Sequence, residues 1–234
     1  LNFSIINITL SIDKQAYYAL LVLAFVLSVL QPNRSDSAIK ALSLLLLLSI
    51  IAQWIADVVK AYGIPNYVVF HIYSLFEYPL YCLYFYRILT YKSDLKSKYS
   101  RKIQSVILVS IAFYILVYFY YYGYIADIFL KQSFGFISAL NGLFVTALSV
   151  FFYFHTINKR NIPNILKYPH FYIVSANLIF FCTQIPLISL DQFLLESNDV
   201  WRFHFHNIYK LTNFALYTLY CIGLSINLWK QRKY

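Results

Sequence analysis

The chain has 234 residues, of which 61% are hydrophobic, 21% aromatic and 12% charged, with a mean hydropathy of +0.62. A soluble domain carries about 25% charged residues, so half of the usual solvating side chains are missing, and disorder or a collagen-like repeat is excluded. The three cysteines, Cys82, Cys182 and Cys221, fall in separate apolar runs, which argues against a disulfide scaffold or a metal ribbon, and the net charge of +10 belongs to connecting segments and not to a nucleic-acid-binding surface.

Apolar runs at or above the roughly 18 residues that mark a membrane span predict seven transmembrane helices in an all-α polytopic bundle. Their expected ranges are 15–31, 38–59, 66–90, 102–122, 132–155, 168–187 and 203–229. The longest connection, 188–202, is too short for a soluble domain. The chain therefore reads as one membrane domain, 1–234, with any chemistry inside the bundle or at its mouths. Leu190, Phe193, Leu194 and Trp201 among three acids in 188–202 suit a segment lying on the membrane surface as a lid.

Ahead of the first helix, Asn2-Phe-Ser4 and Asn7-Ile-Thr9 match glycosylation sequons, read as chance in a chain this rich in asparagine. A basic start followed by a small-residue cleavage site is not seen, so no cleavable signal is expected. Basic residues divide sharply between alternate connections. One side holds Arg34, Lys40, Arg87, Lys92, Lys96, Lys98, Arg101, Lys102, Lys159, Arg160, Lys167, Lys230, Arg232 and Lys233. The other holds Lys14, Lys60, Lys131 and Arg202 with six acids: Asp13, Asp57, Asp127, Asp191, Glu196 and Asp199. The positive-inside rule then puts the N-terminus outside and the C-terminus in the cytoplasm, in the inner (cytoplasmic) membrane. The cluster Lys92–Lys102 either contacts anionic lipid headgroups, at about 1 kcal/mol per basic residue, or sets orientation alone.

The third and seventh helices resemble each other. Residues 72–84, IYSLFEYPLYCLY, align without gaps on 208–220, IYKLTNFALYTLY, with seven of the 13 positions identical where this composition gives on the order of two. Lys14-Gln-Ala-Tyr17 and Lys131-Gln-Ser-Phe134 open the first and fifth helices alike, and Gln53 and Gln184 recur near the outer ends of the second and sixth. The expected organisation is a parallel 3+1+3 repeat: unit 15–90, linker helix 102–122 and unit 132–229.

Charges in hydrocarbon cost at least about 2.5 kcal/mol each, so Glu77 near the middle of the third helix and Lys210 in the outer third of the seventh are functional candidates. Helical spacing puts Asn66, Tyr73, Glu77, Tyr81 and Tyr84 in one stripe with Ser74 beside it, and His71 about 120° from Glu77. His206, Lys210, Asn213, Tyr217 and Tyr220 form the matching stripe. The repeat pairs Glu77 with Asn213 and Ser74 with Lys210 across a pseudo-two-fold axis. A polar ligand pocket open to the outside is therefore expected, lined by Glu77, Asn213, Lys210, His71, His206, Tyr73, Ser74, Gln53 and Gln184, with tyrosines beneath. Blander readings remain open: Lys210 snorkelling to headgroups and Glu77 serving as packing glue. His155 and His170 read as anchors at the inner boundary. Gly135, Ala139, Gly142, Thr146 and Ser149 form a small-residue stripe for close packing.

The paired polar positions Glu77 and Asn213 on helices 3 and 7 make the architecture similar to that of the sugar-permeating seven-helix carriers, without their proline pattern in the other repeat helices. The resemblance implies a small-solute carrier. A receptor or sensor with the same outward pocket and no transport is the alternative. Lys210 and Glu77 also have the residue types of a retinal Schiff base and counterion, but Lys210 is shallow and the sixth helix has no tryptophan. His204, His206, His71 and Glu77 resemble the ceramidase and adiponectin-receptor superfamily only in part, since its H-x3-H signature on helix 7 is missing and residues two apart point about 200° apart. The stretch His71-Ile-Tyr-Ser-Leu-Phe-Glu77 resembles uncharacterised bacterial seven-helix membrane proteins, which brings no function with it. No catalytic group, metal or cofactor is assigned; the expected partners are the bilayer, a small ligand and another copy of the chain, with no nucleic acid.

Overall fold

A computed structural model describes residues 2–31, 37–90, 98–124, 135–159, 165–194 and 199–232, with side chains described for 14–31, 37–66, 68–90, 100–120, 136–156, 165–188 and 207–229. Seven helices account for almost all of them: α1 (Asn2–Val29), α2 (Ser37–Ala61), α3 (Tyr67–Thr90), α4 (Lys98–Tyr124), α5 (Gly135–Lys159), α6 (Pro169–Leu194) and α7 (Asp199–Arg232). The protein is an all-α, multi-pass integral membrane bundle, as composition requires.

Local chemistry sets several helix ends. Gly63, at φ 74°, follows α2 in the left-handed conformation, with its N–H donating to the Lys60 carbonyl at 3.0 Å and the Ile64 N–H to the Val59 carbonyl at 3.1 Å. Those two bonds satisfy the carbonyls that a helix end leaves open, and Pro65 prevents the helix from resuming. Pro169 stands at the first position of α6, where the missing N–H costs nothing. A turn of 3-10 helix, Ile165–Lys167, leads into it.

Two expectations change. The stretch 188–202 is not a separate surface segment along most of its length: α6 runs on to Leu194 and α7 begins at Asp199. No glycine or proline stands between Leu187 and Asp199 to stop either helix. α7 is therefore about 50 Å long at 1.5 Å per residue, well over the hydrocarbon thickness, so it projects beyond the bilayer. Similarly, α1 starts at Asn2, well before the expected 15, and both sequons fall in that extension, where side chains are not described.

Helix α1 packs on α2, α2 on α3, α3 on α5, α5 on α6, α6 on α7 and α7 on α1, closing a ring, while α4 lies against α3. Among the described residues, five helices are long and apolar enough to cross a membrane by composition: α2, α4, α5, α6 and α7. The described part of α1 adds a shorter apolar helix, Lys14–Val29. α3 is the exception: Tyr78, Tyr81, Cys82, Tyr84, Phe85, Ile88 and Leu89 are buried, while Ile72, Phe76 and Leu83 are exposed. The tyrosines and Glu77 that lower its hydropathy lie on sides turned to other helices, and the side left to lipid is apolar. α4 is divided in the same way. Ile103, Ile107, Tyr114 and Tyr118 are buried on one side, while Val106, Val109, Leu116 and Phe119 are exposed on the lipid side.

Pro79 removes one backbone donor from α3, leaving the Leu75 carbonyl without its helical partner. Near this weakened turn, Tyr114 of α4 donates to the Ser74 carbonyl at 3.0 Å, and Tyr118 donates to the His71 carbonyl at 3.1 Å. The Tyr78 and Tyr114 rings pack with centroids 4.6 Å apart. Residues 71, 74 and 78 are spaced as one helical face, and that face is the one turned to α4.

Candidate functional site

The centre of the ring is built around one carboxylate. Glu77 accepts a hydrogen bond from Asn141 Nδ2 of α5 at 2.8 Å and one from Tyr73, one turn above it, at 3.3 Å. The Tyr73 hydroxyl is also 2.7 Å from Ser49 Oγ on α2. Tyr17 on α1 packs edge-on against Tyr217 on α7, with ring centroids 5.5 Å apart. Side chains of α5 and, through Tyr73, of α2 thus meet at the carboxylate, and α1 and α7 meet each other through Tyr17 and Tyr217. Glu77, Tyr73, Tyr17 and Ser49 nevertheless keep accessible surface, and Tyr209 keeps 47% of its own. The same face of α3 meets α7 through Tyr81 and Tyr220, so the Glu77 surface is turned to the interior of the ring.

Below Glu77 the tyrosines bond across the bundle and close it. Tyr81 of α3 is 3.4 Å from the Tyr220 hydroxyl of α7, which donates to Asn177 Oδ1 of α6. Tyr84 of α3 bonds His170 Nδ1 of α6 at 3.0 Å. His170 is buried, so it is a core residue joining two helices and not the interface anchor that its position near a helix end implied. The reason is the tyrosine opposite it, which a single-helix reading cannot see. Tyr84→Phe is expected to lower stability by about 0.5–1.5 kcal/mol, the range for a hydrogen bond between transmembrane helices. A denaturation titration in mixed micelles of wild type against the variant reads this directly; an unchanged midpoint would remove the bond from the account.

The other expected site residues divide between this centre and its surroundings. Asn213 is buried, with its Nδ2 donating to the Tyr209 carbonyl at 2.9 Å in its own helix. The donors to Glu77 are Asn141 and Tyr73, and not Asn213. Ser74 is fully buried and donates to the His71 carbonyl at 2.8 Å; it and His71 belong to the α4-facing side of α3, away from the ring interior, and Ser74 does not face Lys210. Gln184 is buried between α6 and α7, where its Nε2 donates to Thr212 Oγ1 at 3.2 Å. Gln53 is half-buried in the C-terminal half of α2, within hydrogen-bonding reach of Tyr18. Lys210 is half-buried on α7. The His206 side chain lies outside the described residues, as do those of Lys92–Lys98 and of the Lys131-Gln-Ser-Phe134 motif.

A second polar group ties α1 to the C-terminal part of α2. Lys14 Nζ is 2.7 Å from Asp57 Oδ1, and Tyr18 donates to Asp57 Oδ2, with the Lys14 ammonium 5.7 Å from the Tyr18 ring centroid. Among the described residues, no three His, Cys, Asp or Glu side chains come together as a metal site.

Sequence reasoning missed Ser49, Asn141 and Asn177. A signal existed for the asparagines, since an amide in a membrane helix is costly unless it finds a partner across an interface. Searches against family models, curated proteins and solved structures find no match to this chain.

Proposed function

We propose that the protein is a small-solute carrier of the cytoplasmic membrane, built as two parallel three-helix units with α4 as linker and with Glu77 at the centre of the solute path. The observation that carries this reading is a carboxylate with accessible surface in the interior of a closed ring, where an isolated charge has no structural need to be. The contact order of the ring supports the repeat. Exchanging α1 with α5, α2 with α6 and α3 with α7 reproduces it: α1–α2 becomes α5–α6, α2–α3 becomes α6–α7, and α3–α5 becomes α7–α1.

In this reading the tyrosine bonds below Glu77 form the closed inner gate, and transport requires the Tyr81–Tyr220 and Tyr84–His170 contacts to part. Proteoliposomes should take up a solute well above empty vesicles, and Glu77→Ala should remove at least about 90% of that flux, as the loss of a group central to binding does. Flux that is equal in both refutes the assignment of Glu77. Saturable binding with no flux for any solute class favours a receptor that uses the same pocket.

The asymmetry of the basic residues orients this carrier with its N-terminus outside, and the cluster 92–102 on anionic lipid headgroups. Alkaline phosphatase fused after residue 234 should be inactive and a fluorescent protein at the same place bright. The reverse pattern would invert the bundle.

A further inference from the structure

We propose that the site around Glu77 binds a protonated amine, with the ammonium on the carboxylate and the apolar body of the ligand against the tyrosine rings of α1, α3 and α7. This rests on the reading of Glu77 as the centre of the solute path and gives that site its ligand class.

The argument is a count of donors. An ionised carboxylate offers two oxygens and about four lone-pair positions. Glu77 has two donors, the Asn141 amide and the Tyr73 hydroxyl. The second is shared. Ser49 and Tyr73 have one hydroxyl proton each, but three contacts draw on them: Ser49 to the Leu45 carbonyl at 2.9 Å, Ser49 with Tyr73, and Tyr73 to Glu77. One of the three is always left without a proton, and the contact to Glu77 is the longest.

Asn141 extends the shortage. With Glu77 ionised, Asn141 Nδ2 faces the carboxylate and the amide oxygen, which the charge would repel, points away. Its Oδ1 is then buried with no donor among the described residues. An unsatisfied acceptor thus stands beside an under-satisfied carboxylate, both at the centre of the bundle. No lysine or arginine among the described residues acts on the Glu77 carboxylate, and the outer Lys14 is committed to Asp57. Such a site repels anions, and gives neutral hydroxyl compounds no advantage over water. It favours a cation that brings several N–H donors of its own. The accessible rings of Tyr17, Tyr73 and Tyr209 add an aromatic wall, which attracts cations and covers an apolar body.

The test uses the purified full-length protein in a neutral detergent and four probes of one shape: 2-phenylethylamine, its N,N,N-trimethyl derivative, 2-phenylethanol and 3-phenylpropanoate. Titration calorimetry should show saturable binding of the primary amine, weaker binding of the trimethyl compound, and no saturable heat with the alcohol or the carboxylate. Glu77→Gln, which keeps shape and removes charge, should weaken amine binding by more than about 100-fold. Tyr73→Phe removes a donor from the carboxylate but leaves the ring, so it should retain amine binding and gives a readout if Glu77→Gln fails to fold. Equal binding of amine and alcohol, binding of the carboxylate, amine binding that survives Glu77→Gln, or its loss in Tyr73→Phe each overturns the assignment. Trimethyl binding as tight as that of the amine overturns the role given to N–H donors. Amine binding without amine flux in vesicles leaves this site standing and removes the carrier reading. Flux of a neutral solute with no amine binding does the opposite.

Discussion

Asn141→Leu is expected to destabilise the bundle by about 2–3 kcal/mol, and adding Glu77→Gln is expected to recover most of that loss. Leucine keeps the branching of asparagine without its polar atoms, and the packing cost of its larger volume is common to both backgrounds, so the cycle isolates the coupling to Glu77. Asn141 supplies the shorter of the two bonds to Glu77, at 2.8 Å, and a bond to a buried charged group is worth about 1.5–3 kcal/mol. Removing it leaves a carboxylate inside the ring with only the shared Tyr73 hydroxyl. In the Glu77→Gln background there is no charge to strand. Glu77→Gln alone should be neutral or stabilising by about 1 kcal/mol, because the new amide can donate to Asn141 Oδ1, which has no donor among the described residues. A double-mutant cycle on reversible unfolding in mixed micelles measures the coupling. If Asn141→Leu costs the same in both backgrounds, the two residues act independently and the donor count at Glu77 fails with them.

Gly223→Ala should cost about 1–3 kcal/mol, although alanine is the better helix former by about 1 kcal/mol. A Cβ on Gly223 would lie 2.8 Å from the Pro169 carbonyl oxygen, 3.2 Å from Ile173 Cγ1 and 3.3 Å from Tyr172 Cβ. The first of these is backbone at the start of α6 and cannot turn aside, so α6 and α7 would have to separate. Gly142 on α5 is the control. A Cβ there meets Ile185 Cγ1 at 3.1 Å and Phe181 Cδ1 at 3.4 Å, both in side chains that can shift. Gly142→Ala should therefore fall within about 1 kcal/mol of wild type, with the gain in helix propensity offsetting the crowding. The same unfolding assay ranks the two, and a larger loss at Gly142 would place the tight helix contact on α5–α6 instead of α6–α7.

The small-residue stripe on α5 made Gly142 the evident packing glycine, while Gly223 has no such stripe around it. What distinguishes Gly223 is the backbone of another helix pressed against it. The same limit governed the centre of the bundle. Runs of apolar residues located all seven helices, and five of them are long and apolar enough by composition to cross a membrane among the described residues, because a lipid-facing surface must be apolar over about 20 residues. The cost of burying charge singled out Glu77 in the same way. Periodicity also grouped Tyr73 with Glu77 correctly, since both lie on one helix and its geometry is fixed. It put Ser74 and His71 near the same stripe, but the tyrosines of α4 claim that side of α3. The partner of Glu77 on α5 and that of Tyr73 on α2, the burial of His170 against Tyr84, and the fusion of 188–194 into α6 were decided by tertiary structure. The pattern along one helix determines which residues share a face. Which neighbour that face meets depends on how the helices rotate and pack, and packing follows from contacts between segments far apart in the chain.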